Sequence, residues 1–83
     1  MPVKNALVVD DSKSARLMLQ RLLSRMDVQV DLVDSAEAAL EFLETRSPDV
    51  IFMDHMMPGM DGLGATQLIK SNPKTAAIPT IMY

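Results

Sequence analysis

The sequence predicts a parallel α/β sheet with helices on both faces, and three observations carry that prediction. Two short apolar runs, residues 6–9 and 50–53, have no polar break, as strands covered on both faces require. Stretches with helical apolar spacing lie between and after them. Each apolar run also stops at carboxylates, Asp10-Asp11 after the first and Asp54 after the second. Open α/β sheets place their chemistry at such strand ends.

Taken in order, Ala6, Leu7, Val8 and Val9 read as a central strand. Asp11, Ser12 and Ser14 are all candidate N-caps for the helix that follows. Its apolar stripe is Ala15, Met18, Leu19, Leu22, Leu23 and Met26, which predicts a helix over residues 14–26. Arg16, Arg21 and Arg25 lie off the stripe and read as a solvated face. Residues 28–33 alternate apolar and polar, the pattern of a half-buried strand at a sheet edge. Ser35 caps a second helix with the stripe Ala36, Ala39, Leu40 and Leu43. Pro48 closes it, because the residue before a proline avoids the α region.

Val50, Ile51, Phe52 and Met53 form the second buried strand, and Pro58, Gly59 and Gly62 mark a loop beyond Asp54. Asp61 can cap a third helix running to Ser71, with Ala65, Leu68 and Ile69 inward. Residues 78–83 read as a fourth strand, with Pro79 tolerated near its start. The β-α-β-α-β-α-β order implies a mostly parallel sheet with right-handed crossovers. With the alternating strand at the edge, the spatial order is 2-1-3-4. The switch point then falls between strands one and three, beside Asp10, Asp11 and Asp54.

Bulk properties exclude several classes. Eighty-three residues make one domain at most, and 48% apolar content suits a folded globule. A net charge of −3 offers no broad basic surface for nucleic acid. Without cysteine there is neither a disulfide framework nor a thiolate metal site. No apolar stretch approaches membrane-spanning length, and the N-terminus lacks a signal-peptide pattern. A cytoplasmic protein is the expectation.

Singly, Asp10-Asp11 could be a capping turn and Asp54 a turn residue. Together they read as one cleft of three carboxylates, whose repulsion a hard divalent cation relieves. Mg²⁺ takes oxygen ligands and is often held by one or two carboxylates plus phosphate oxygens. That arrangement leaves a carboxylate oxygen free to attack phosphorus and form an aspartyl phosphate. His55 reads as an exposed loop residue rather than a ligand, and Met53, Met56, Met57 and Met60 as core and loop filler.

The sequence resembles the receiver domains of two-component response regulators, of the stand-alone chemotaxis type. The matching stretches are Val8-Val9-Asp10-Asp11-Ser12, Pro48 through Asp54, Met57-Pro58-Gly59-Met60-Asp61-Gly62 and Ile78-Pro79-Thr80-Ile81-Met82. The resemblance implies a flavodoxin-like fold with the same 2-1-3-4 order. It implies that Asp54 takes a phosphoryl group from a sensor histidine kinase or phosphotransfer protein. Asp10 and Asp11 would hold Mg²⁺ with Asp54 and the Met56 backbone carbonyl, and Pro58 and Gly62 would shape the adjacent loop.

Receivers continue past the fourth strand with a Ser or Thr, a helix, a fifth strand ending in Lys and a last helix. This sequence stops at Tyr83, so residues 1–83 read as a truncated receiver lacking the fifth strand and last two helices. Lys70 and Lys74 are not at positions that replace the missing lysine. Metal binding is expected to survive, while phosphorylation and switching are expected to be impaired. The fourth strand, with Ile78, Ile81 and Met82, would be an open edge, and apolar area beside Ala15, Met18 and Leu22 would be uncovered. A homodimer or domain-swapped oligomer is therefore expected. The alternative function is a self-associating structural module without signalling activity. An aspartate-nucleophile phosphatase is disfavoured, because the residue two beyond Asp10 is Ser12 rather than a second Asp. The chain is not expected to be an enzyme.

Overall fold

A computed structural model describes residues 3–57 and 62–83. Four strands, β1 (Asn5–Val9), β2 (Gln29–Val33), β3 (Val50–Met53) and β4 (Thr80–Met82), form one parallel sheet in the order β2-β1-β3-β4. Three helices, α1 (Lys13–Ser24), α2 (Ala36–Leu43) and α3 (Gly62–Ser71), connect them. The expected roles of Pro58, Gly59, Met60 and Asp61 lie outside the described residues.

The continuous apolar runs supply the two central strands, and their alternate residues feed two separate cores. Leu7 and Val9 of β1 and Ile51 and Met53 of β3 pack with Ala36, Ala39 and Leu43 of α2 and Ala65 and Ile69 of α3. On the opposite face, Ala6, Val28 and Val50 pack with Leu23, Val30 and Phe52. Among the described residues α1 is the helix on that second face, and none of its residues is fully buried. Met18 and Leu22 are 63% and 50% exposed. The expected stripe is thus present in spacing but half uncovered, since one helix cannot seal a sheet face about four strands wide.

Caps and turns set the helix limits. Of the three candidates before α1, Ser12 is the N-cap, accepting from the Ala15 N–H. The helix stops short of Met26 because Asp27 adopts a left-handed backbone, φ 61°, and Val28 N–H turns back to the Leu23 carbonyl. Ser35 caps α2 as expected, accepting from Ala38 N–H at 3.0 Å. In α3 the buried face is Gly62, Ala65, Thr66 and Ile69. Leu68, expected inward, is 47% exposed. It falls outside the i, i+3, i+4, i+7 series that begins at Gly62. Thr66 takes the inward place by donating its hydroxyl to the Gly62 carbonyl at 2.7 Å.

At the N-terminal end of the central strands, the Asp49 carboxylate accepts the backbone N–H groups of Lys4 and Asn5 at 2.9 and 3.0 Å. These two bonds hold its pKa below the usual carboxylate range.

Candidate metal and phosphoacceptor site

The sheet register assembles the site. β1 and β3 pair in parallel with Val9 opposite Met53. The next residue on each strand is therefore Asp10 and Asp54, side by side at the carboxyl end of the sheet. Backbone bonds continue the pairing there: Asp54 N–H donates to the Val9 carbonyl at 2.9 Å, and Asp10 N–H to the Val33 carbonyl at 3.2 Å. Asp11 follows on the exposed side. One carboxylate oxygen from each of Asp10, Asp11 and Asp54 lies within 4.8 Å of the others. The three acids, which the sequence carries on two separate segments, are thus brought together.

Their surroundings differ. Asp10 is only 3% exposed. Its Oδ1 accepts the Ser12 N–H at 2.8 Å, and its backbone carbonyl accepts Arg16 Nη1 at 2.7 Å. Arg16 is therefore tied to the site rather than lying on a freely solvated face. Asp54 is half-buried, and its Oδ1 accepts the Met56 N–H at 3.0 Å. Desolvation raises the Asp54 pKa, and the charges of Asp10 and Asp11 add to the rise, against the lowering effect of the Met56 bond.

Gly62 closes the floor. A Cβ at this position would run into the Asp54 carbonyl oxygen and lie 2.8 Å from His55 Cα. Only glycine lets the start of α3 approach the Asp54 loop this closely. His55 is exposed, as expected, but it has a partner: Nδ1 lies 2.6 Å from the Tyr83 carbonyl, which makes that nitrogen the donor.

Tyr83, like Arg16, makes a contact with Asp10 that sequence reasoning missed. Its hydroxyl donates to Asp10 Oδ2 at 2.6 Å. Desolvation, then the Asp10 bond, raises the phenol pKa, so the hydroxyl keeps its proton. The only sequence signal was its position just beyond β4, at the same sheet end as the acids.

The donor set suits a hard cation. Three carboxylate oxygens at this spacing can share one ion directly or through water, and no soft ligand competes among them.

Fold and site together define a signalling receiver, and the chain belongs to the response regulator receiver domain family, which it matches over residues 6–83. It is 38% identical over 78 residues to the heme response regulator HssR of Staphylococcus epidermidis, an alignment spanning 94% of this chain and 34% of that protein. It is 43% identical over 68 residues to the hybrid signal transduction histidine kinase E of Dictyostelium discoideum, covering 81% of this chain and 4% of that protein. The chain thus spans about a third of HssR and far less of the kinase. Among solved structures, the N-terminal domain of a response regulator receiver protein from Methanoculleus marisnigri superposes with a TM-score of 0.92 at 34% identity, covering 98% of this chain and 66% of that one. The signal receiver domain of a histidine kinase from Syntrophus aciditrophicus gives 0.93 at 32% identity, covering 95% and 60%. No helix among the described residues is long and apolar enough to cross a membrane.

Proposed function

We propose that residues 1–83 act as one phosphoacceptor unit, with Asp54 receiving the phosphoryl group. The observation that carries this reading is the β1–β3 register, which sets Asp54 beside Asp10 and Asp11 at the sheet end. Asp10, Asp11 and Asp54, with the Met56 backbone carbonyl, would hold Mg²⁺. The ion supplies charge neutralisation for the acids and for the incoming phosphoryl oxygens. Asp54 Oδ1 is held by the Met56 N–H, which orients the carboxylate for attack by Oδ2. The Asp54 oxygen forms the new bond to phosphorus, the bond from phosphorus to the donor nitrogen breaks, and that nitrogen takes a proton. The donor is a phosphohistidine on a sensor kinase or phosphotransfer protein, in line with the kinase relatives. A cytoplasmic working place follows from that partner.

Beryllofluoride with Mg²⁺ tests the reading by mimicking the phosphoryl group. Amide resonances at residues 10, 11 and 54–56 should shift, and Asp54→Asn should abolish the shift. A wild-type spectrum unchanged by both reagents would refute the assignment.

A second reading draws on one observation. Among the described residues β4 pairs only with β3, and Ile81 and Met82 on it are 48% and 36% exposed. Such an edge can template a second copy. Light scattering showing a monomer at micromolar concentration would dismiss self-association and leave the phosphoacceptor reading intact.

A further inference from the structure

We infer that the Tyr83 hydroxyl positions the Asp10 carboxylate for cation binding. The inference rests on the reading of Asp10, Asp11 and Asp54 as a Mg²⁺ centre, and it adds a residue which that reading does not include.

The geometry is specific. Tyr83 lies beyond β4, and Asp10 lies beyond β1, with β3 between them. Tyr83 lines a groove beside α1 together with Ala15, Leu19, Phe52 and Ile81. Two inter-strand spacings, about 9–10 Å, separate the strands that the ring and hydroxyl must bridge. The backbone of Tyr83 is fixed at the near end. Its N–H donates to the Met53 carbonyl at 3.1 Å, and its carbonyl accepts His55 N–H at 3.2 Å and His55 Nδ1–H at 2.6 Å. The hydroxyl is fixed at the far end by Asp10 Oδ2. Its 2.6 Å length is in the range of a charge-assisted O–H···O⁻ bond.

The effect falls on Asp10. Oδ1 takes the Ser12 N–H and Oδ2 takes the Tyr83 O–H, so both oxygens of a carboxylate only 3% exposed are anchored. Each oxygen keeps a second lone pair for a cation. The carboxylate therefore meets the ion already oriented, without losing torsional freedom on binding. Donors of this kind behind a ligating group are worth roughly 10–100-fold in metal affinity. Tyr83 is a positioning residue that works through Asp10.

Tyr83→Phe removes the hydroxyl and keeps the ring. A Mg²⁺ titration followed by amide shifts at residues 10, 11 and 54 should give a dissociation constant about tenfold weaker in the variant. A ring that served packing alone would leave that constant unchanged. Tyr83 is also the single tyrosine in a chain without tryptophan. Its emission in the wild type should change with the same Mg²⁺ midpoint as the amide shifts, a readout independent of the variant's stability. Equal or tighter binding by Tyr83→Phe, or emission that stays flat while the amides saturate, overturns the role of Tyr83 and leaves the metal centre standing. A wild type that binds no Mg²⁺ overturns both.

Discussion

Replacing Asp54 by asparagine should stabilise the metal-free protein. Asp54 faces two other acids, with oxygens no more than 4.8 Å away. At that limiting separation each like-charge pair repels by about 0.9 kcal/mol under water-like screening, and by about 3.5 kcal/mol at an effective dielectric constant of 20. Asp11 is exposed, so its pair lies at the lower end, whereas Asp10 is buried and its pair lies above it; the two pairs together cost at least about 2 kcal/mol. Asparagine keeps an oxygen for the Met56 N–H but turns a charge-assisted bond into a neutral one, a loss of about 1 kcal/mol. The net gain is at least about 1 kcal/mol, or at least roughly 4–8 °C in Tm for a domain of this size. Mg²⁺ should reverse the ranking. At a hundred times its dissociation constant a ligand adds about 2.7 kcal/mol to the protein that binds it, and on the proposed Mg²⁺ site that gain should fall to the wild type rather than to the variant. Thermal melts by circular dichroism, in EDTA and in saturating Mg²⁺, would show the two curves exchange order. An Asp54→Asn variant that melts at or below the wild type in EDTA would refute the electrostatic reasoning.

The same strain sets a pH dependence. The folded pKa of Asp54 lies above its unfolded value, so its ionisation destabilises the fold as pH rises through the folded value. The stability difference between Asp54→Asn and wild type should therefore shrink as pH falls through that value, as seen in urea unfolding at stepped pH. Asp49 acts in the opposite sense: its lowered pKa contributes stability that is lost as pH falls through the folded value, and Asp49→Asn should remove that acid-side loss. Gly62→Ala forces a methyl group against the Asp54 carbonyl and should lower stability by about 1–3 kcal/mol, measured by chemical denaturation; a variant as stable as wild type would contradict the close approach. Ile51→Ala, at a fully buried site, should cost about 2–5 kcal/mol, whereas Leu68→Ala should stay within about 1 kcal/mol.

Much of this architecture was readable because the relevant signals are local. Unbroken apolar runs at residues 6–9 and 50–53 read as covered strands, and Ser35 marks a helix start by side-chain chemistry, whereas before α1 the choice of Ser12 over Asp11 and Ser14 needed the structure. The acid cluster followed once those strands were placed as neighbours. What escaped the sequence depends on long-range geometry. Nothing local distinguishes the exposed Leu68 from the buried Ile69, since the inward direction of α3 is set by where Gly62 touches the Asp54 loop. The early end of α1 needed the left-handed backbone of Asp27, a conformation that a non-glycine residue rarely declares. The Arg16 and Tyr83 contacts with Asp10 join positions 6 and 73 residues apart in the chain, and no periodicity reports them.

The grip of Asp49 on the amides of Lys4 and Asn5 has a consequence at the other pole of the sheet. The central strands are greasy on both sides, so hydrophobicity alone would tolerate β1 sliding along β3 by a notch. Asp49 removes that tolerance by fixing the starting mark from which both strands count. Asp54, five residues downstream, then arrives level with Asp10 rather than one step ahead or behind. A single carboxylate roughly 17 Å from the end that carries the three acids thereby acts as the origin of its ruler.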